Sequence, residues 1–242
     1  MKIDRVILAC VDNPLYQNFW QLVATAWTNM GIRPTLALVG DTKVDESFGD
    51  VVHIQSIDGI SNGFITQVVR AFLPILFPND VCLLSDIDML PLNKNYFLNA
   101  ANPVPDNFLL VYSADAYPTE LRYPMCYLAA KGSIFQEILS IKKAETASII
   151  QGIKEWHSEG LGWNTDEILL GRHIKAWQGF DNQMVLLNRG WSPLAKRRLD
   201  RARWRINPFL LYFSYYIDAH LPRPYDEKKL KTLIKRIEMS KF

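Results

Sequence analysis

Asp80-Val81-Cys82-Leu83-Leu84-Ser85-Asp86-Ile87-Asp88-Met89-Leu90-Pro91-Leu92 decides how this chain is read. An apolar run from Val81 to Leu84 ends near a carboxylate, and a second carboxylate follows after one apolar residue. The run is short, opens on a β-branched residue and is followed by a proline, so it predicts a buried strand rather than a helix. In open α/β sheets, ligands sit beyond the carboxyl ends of the strands, where Asp86 and Asp88 fall. Two anions so close repel each other unless a cation or hydrogen-bond donors offset them. Mn²⁺ or Mg²⁺ would supply that counter-charge, and such ions share their coordination with substrate phosphates. The stretch therefore predicts a metal–diphosphate site. A strand followed by an Asp-rich turn accounts for the same residues without a ligand.

Composition narrows the classes. A chain of 242 residues suits one large α/β domain or two small ones, and 49% apolar residues suffice for a sizeable core without disulfides. A net charge of +2 makes no case for nucleic-acid binding. Cys10, Cys82 and Cys126 are few and odd in number, and Cys10 and Cys82 lie in apolar runs, which predicts buried free thiols in a reducing compartment. Asp12 interrupts the first apolar segment too early for a signal peptide, and no window approaches a membrane span, so the expected location is cytoplasmic.

Outward from the central stretch, Val6–Val11, Thr35–Val39 and Val51–Gln55 read as strands, with a helix predicted from Leu15 to Met30 and stopped by Gly31. Strand, helix, strand in this order implies a right-handed crossover and a mostly parallel sheet. A helix over Ser61–Phe77, capped by Ser61, puts Phe64, Val68, Phe72 and Ile75 on one stripe and Gln67 and Arg70 on a shared face. Further on, Phe108–Tyr112 and Met184–Leu187 read as strands, and Ser133–Lys143 and Thr146–Gly160 as helices. Asn164 or Thr165 is expected to cap a helix opened by Asp166 and Glu167, acids that gain from its positive end. Lys196, Arg197, Arg198, Arg201, Arg203 and Arg205 form a local basic cluster over 196–205, suited to a diphosphate, an anionic acceptor or peripheral contact with acidic membrane lipid, or simply a solvated helix face. His220 is an ordinary metal-ligand type, with Asp218 expected either to help it or to hydrogen-bond its imidazole, and residues 225–242 read as a C-terminal basic amphipathic helix.

The Asp86-Ile87-Asp88 segment resembles the metal-binding Asp-x-Asp of glycosyltransferases with the GT-A fold. That resemblance implies an α/β, Rossmann-related domain over 1–242, its nucleotide-binding half at 1–100 and its acceptor half at 101–224. It implies transfer of a sugar from a nucleoside-diphosphate-sugar, with UDP the commonest nucleotide, to a glycan or other hydroxyl acceptor. The metal, Mn²⁺ or Mg²⁺, would be held by Asp86, Asp88 and His220. Donor contacts fall to Asp12, Asn13, Asp41, Gln67, Arg70, Ser85, Asp86 and Arg223, the last standing with Pro224 where the family more often has Lys-Pro. Asp166, with Glu167 as alternate, resembles the second acidic motif, which faces the acceptor hydroxyl or the reacting sugar. Tyr112, Tyr117 and Tyr123 are sugar-facing candidates. Inversion and retention at the anomeric carbon both remain open, as does the oligomeric state. Two other classes use related features: a haloacid-dehalogenase-type phosphatase, which normally has Thr or Val where Leu90 stands, and a non-catalytic nucleotide- or sugar-binding module.

Overall fold

The structure, a computed structural model, describes residues 1–118, 120, 122–194 and 197–239. In chain order the elements are β1 (Arg5–Val11), α1 (Pro14–Gln17), α2 (Trp20–Asn29), β2 (Arg33–Val39), β3 (Asp50–Ile54), α3 (Asn62–Phe72), β4 (Val81–Leu84) and β5 (Met89–Pro91). Then follow α4 (Lys94–Ala101), β6 (Leu109–Val111), β7 (Leu128–Lys131), α5 (Gly132–Ile138), α6 (Thr146–Ser158), α7 (Thr165–Ala176), β8 (Met184–Leu186), β9 (Arg197–Leu199), α8 (Pro208–Tyr212), β10 (Tyr216–His220) and α9 (Glu227–Met239).

The central sheet runs β3-β2-β1-β4-β7-β6-β8, and only β7 is antiparallel to its neighbours. This is the mostly parallel α/β architecture expected. Alternation along β1 explains the layering, because successive side chains of a strand point to opposite faces. Val6, Leu8 and Cys10 join a core with α2, α4 and α9, while Ile7 and Ala9 join a second core with α3, α5, α6 and α7. Both faces of the sheet are therefore covered, which is why its strands read as continuous apolar runs.

Local departures have physical causes. The helix expected over Leu15–Met30 is two helices, because Asn13 and Pro14 start a short first turn and Phe19 then rotates fully into the core. In α3 the Ser61 side chain accepts from Phe64 N at 3.2 Å, as predicted. Its α-helical part ends at Phe72 because Pro74 offers no N–H, and a tighter turn continues to Leu76. The stripe it buries is Ile65, Val68, Val69 and Phe72, with Phe64 only partly covered. Neither Asn164 nor Thr165 caps α7 through its side chain, and the Thr165 hydroxyl donates instead to Gly162 O at 2.7 Å. The basic cluster is no helix face: Arg197–Leu199 form β9 and Arg201–Arg203 a 3₁₀ turn, and Lys196 lies outside the described residues.

A small second sheet, β5-β10-β9, lies beside the first. β10 runs antiparallel to β5 with His220 opposite Met89 and Asp218 opposite Pro91. That register brings a residue from the end of the chain next to the acidic motif. Cys10, Cys82 and Cys126 are buried free thiols. Among the described residues no helix is long and apolar enough to cross a membrane.

Candidate active site

A cavity of about 850 Å³ opens where β1 and β4 end, bounded by α3, by the start of α7 and by the end of β10. Asn13, Gln67, Arg70, Asp86, Asp88, Asp166, Glu167, His220 and Arg223 all line it. Asp12 and Asp41 are exposed and do not line it. Ser85 is fully buried beside it and presents its carbonyl, not its hydroxyl, to Arg70 Nη1 at 3.4 Å.

At one end of the cavity, Asp88 is the focus. Its Oδ2 accepts from Arg201 Nη1 at 2.9 Å and lies 3.5 Å from both His220 Nε2 and Arg223 Nε. Burial pushes this carboxyl up, but His220, Arg201 and Arg223 together outweigh burial and hold it below the ordinary carboxylate range. Arg223 also stacks over Tyr16 and donates to its hydroxyl, tying the segment after β10 to α1. Asp218 pairs with Arg198 and Tyr127 rather than with His220. It is fully buried, accepts two bonds from Arg198 at 2.8 Å and one from the Tyr127 hydroxyl at 2.8 Å, and so anchors β9 to β10 and the central sheet.

The opposite end is built by the first turn of α7. Asp166 is 3% exposed and accepts from Gln67 Nε2 at 3.0 Å and from Arg70 Nη2 at 3.1 Å. Burial raises its pKa although Arg70, Gln67 and backbone amides pull it down. Glu167 is less enclosed, accepts from the Tyr117 hydroxyl at 3.1 Å, and is also raised by burial. Arg122 lies over the Tyr117 ring and 3.5 Å from Glu167. Trp163 stands at the mouth, 79% exposed, its carbonyl bonded by Gln67. Tyr112 belongs to the core, and Tyr123 does not line the cavity.

Arg70 joins the two ends. Its guanidinium pairs with Asp86 on one side and Asp166 on the other, with only 9% of its side chain exposed. Carboxylates and an imidazole are the donor types that a hard or borderline divalent ion accepts. Asp88 and His220 fit such an ion as a neighbouring pair. Asp86 is instead held by Arg70, so among the described residues no three acidic, histidine or cysteine side chains converge as a ready cage. These donor types suit such an ion, but Asp86 and Asp88 are both engaged by arginines.

Sequence reasoning missed Arg201 as the closest partner of Asp88, together with Arg122, Trp163 and Tyr16. Only the excess of arginine over 197–205 hinted at the first.

No protein-family model matches the chain, and no curated protein matches it by sequence. Solved structures do match by shape. A galactosyltransferase, LgtC, determined with donor and acceptor sugar analogs, aligns with a TM-score of 0.52 at 14% identity, covering 98% of this chain and 95% of that one. An active-site mutant of LgtC aligns with a TM-score of 0.53 over 98% and 94%. The glycosyltransferase GlyE of Streptococcus pneumoniae TIGR4 aligns with a TM-score of 0.54 at 12% identity, over 98% of this chain and 61% of GlyE. With its mostly parallel sheet and its cavity at the strand ends, the chain shares the fold of these glycosyltransferases.

Proposed function

We propose that the chain is a metal-dependent glycosyltransferase that moves a sugar from a nucleoside-diphosphate-sugar, by analogy a UDP-sugar, to a hydroxyl acceptor. One observation carries this reading: the β5–β10 register sets His220 beside Asp88, in a cavity whose far wall holds Asp166 and Glu167. Glycosyl transfer requires a leaving diphosphate whose developing charge is neutralised. A divalent ion bound by Asp88, His220 and Asp86 would supply Lewis-acid stabilisation worth several kcal/mol. Arg201 and Arg223, which stand beside Asp88, would be within reach of the phosphate oxygens, which guanidinium groups suit by shape and charge. Asn13 would face the nucleotide from the end of β1.

Asp166 is saturated by Arg70 and Gln67, so its proposed part is to stay ionised, orient Arg70 and stabilise positive charge on the reacting sugar. Glu167 is less enclosed than Asp166 and is held by Tyr117 and Arg122 rather than by Arg70, which makes it the better-placed proton acceptor for the incoming hydroxyl. Trp163 offers an exposed ring on which an acceptor sugar can stack. The half 1–100 would then serve the donor, while 101–224 would serve the acceptor and lend His220, Arg201 and Arg223 to the donor's diphosphate.

Titrating nucleotide-sugars with and without Mn²⁺ or Mg²⁺ tests the proposal. Metal-dependent hydrolysis or transfer supports it. Binding without turnover would indicate a sugar- or nucleotide-binding module, and phosphate release from simple monoesters a phosphatase. Neither alternative is favoured by the likeness to glycosyltransferases.

A further inference from the structure

The connector from β9 to β10 is unlike the rest of the surface. Of the eight large hydrophobic side chains exposed among the described residues, three stand together on it: Phe209 at 74%, Tyr212 at 77% and Phe213 at 66%. Phe209 and Phe213 stack with centroids 6.1 Å apart, and Tyr212 meets Phe213 edge-on at 5.2 Å, so they form one protruding cluster. Underneath, Leu211 is buried and Leu210 partly so, which fixes α8 to the body and leaves its aromatic face outward. A patch of this kind is costly in water unless something covers it.

Its charge surroundings indicate what covers it. Between Arg197 and Tyr215 the chain carries five arginines against one acid, Asp200. Arg198 and Arg201 are engaged by Asp218 and Asp88. Arg197, Arg203 and Arg205 are exposed, and among the described residues no carboxylate pairs with them. Exposed aromatic rings flanked by unneutralised arginines match a bilayer interface, where rings sit at headgroup level and cations meet anionic lipid. We propose that α8 and the arginines that precede it dock the protein on an anionic lipid bilayer, with Phe209, Tyr212 and Phe213 as the inserted wedge. The expected basic contact surface is thereby given an apolar anchor. Arg201, in the same connector, reaches Asp88, so the docked surface and the cavity are parts of one segment.

The test needs no sugar chemistry and is independent of the transferase reading. The full chain is sedimented with phosphatidylcholine vesicles alone and with vesicles containing one-third phosphatidylglycerol. Binding is expected to the anionic vesicles and to weaken as salt rises. Arg203→Gln and Arg205→Gln should each lower partitioning about fivefold. Phe209→Ser and Phe213→Ser should each lower it roughly tenfold. All four side chains are exposed, so circular dichroism and thermal midpoint should stay at wild-type values. Equal sedimentation with both vesicle types, or variants that partition like wild type, overturns the proposal. A dimer that Phe213→Ser abolishes, in a protein that ignores vesicles, overturns it in favour of a second copy as the occupant.

Discussion

Replacing Arg70 by Met should destabilise the protein by an amount that shrinks as pH falls. Asp166 is buried to 3% exposure, and Arg70 is its cationic partner at 3.1 Å. Removing one member of a buried ion pair typically costs about 3–5 kcal/mol. The variant has a way out, because Asp166 can fold as the neutral acid. Holding an aspartate with an ordinary value of about 3.9 in its protonated form costs about 4 kcal/mol at pH 7 and about 1.5 kcal/mol at pH 5. Burial already raises the pKa of Asp166 with Arg70 in place, and without Arg70 it rises further, so the variant's folded state takes up the proton at higher pH. Stability relative to wild type is therefore regained as pH falls through the folded value toward 3.9, and lost as pH rises. Urea unfolding followed by tryptophan fluorescence at pH 5, 6 and 7 should give losses of about 1.5, 3 and 3–4 kcal/mol. Adding Asp166→Asn should remove most of the pH dependence. A loss that is the same at every pH, or one below about 1 kcal/mol at pH 7, would refute the argument that Asp166 depends on Arg70 for its charge.

Asp88→Ala is expected to leave the fold intact and abolish Mn²⁺-dependent donor binding, and calorimetry that still finds metal-dependent affinity would remove the metal assignment. Glu167→Gln should lower kcat by roughly 10²–10⁴-fold with donor affinity kept, and a wild-type kcat would discharge it as the proton acceptor. Trp163→Ala should raise the acceptor KM about fivefold and spare donor hydrolysis, as expected for a lost stacking surface of about 1 kcal/mol. In Gly132→Ala the new methyl would run into the backbone oxygens of Pro74 and Phe77, which cannot swing aside, so a loss of about 1–3 kcal/mol is expected in urea unfolding.

Much of the central sheet was legible because both its faces are buried, which leaves continuous apolar runs at β1, β2 and β4 in the sequence itself. Shorter elements were not. β7 reads Leu-Ala-Ala-Lys and looks like the approach to a helix, yet pairing with β4 on one side and β6 on the other makes it a central strand. α4 went unread, and β5 and β10 are short segments that pair with each other across more than a hundred residues of chain. Of the candidate site residues, those on strongly patterned elements, Gln67, Arg70, Asp86, Asp88, Asp166 and Glu167, converge on the cavity. Asp12 and Asp41 came from the general rule about strand ends and lie outside it, since a loop's direction is not written in its composition.

The sequence alone determined that a buried strand delivers two carboxylates to its end, because a short apolar run stopped by acids and followed by proline leaves few other structures. It also determined that Gln67 and Arg70 share a helix face and that Asp166 and Glu167 open a helix, since helical spacing and the preference of acids for a first turn are local properties. Partnership was decided by the tertiary structure. That Arg70 holds Asp86 and Asp166 together, that Arg201 rather than Asp218 attends the Asp88 end, and that His220 returns to Asp88 follow from strand register and chain crossing. Such long-range pairings depend on how the whole core closes, and no window of sequence contains that information.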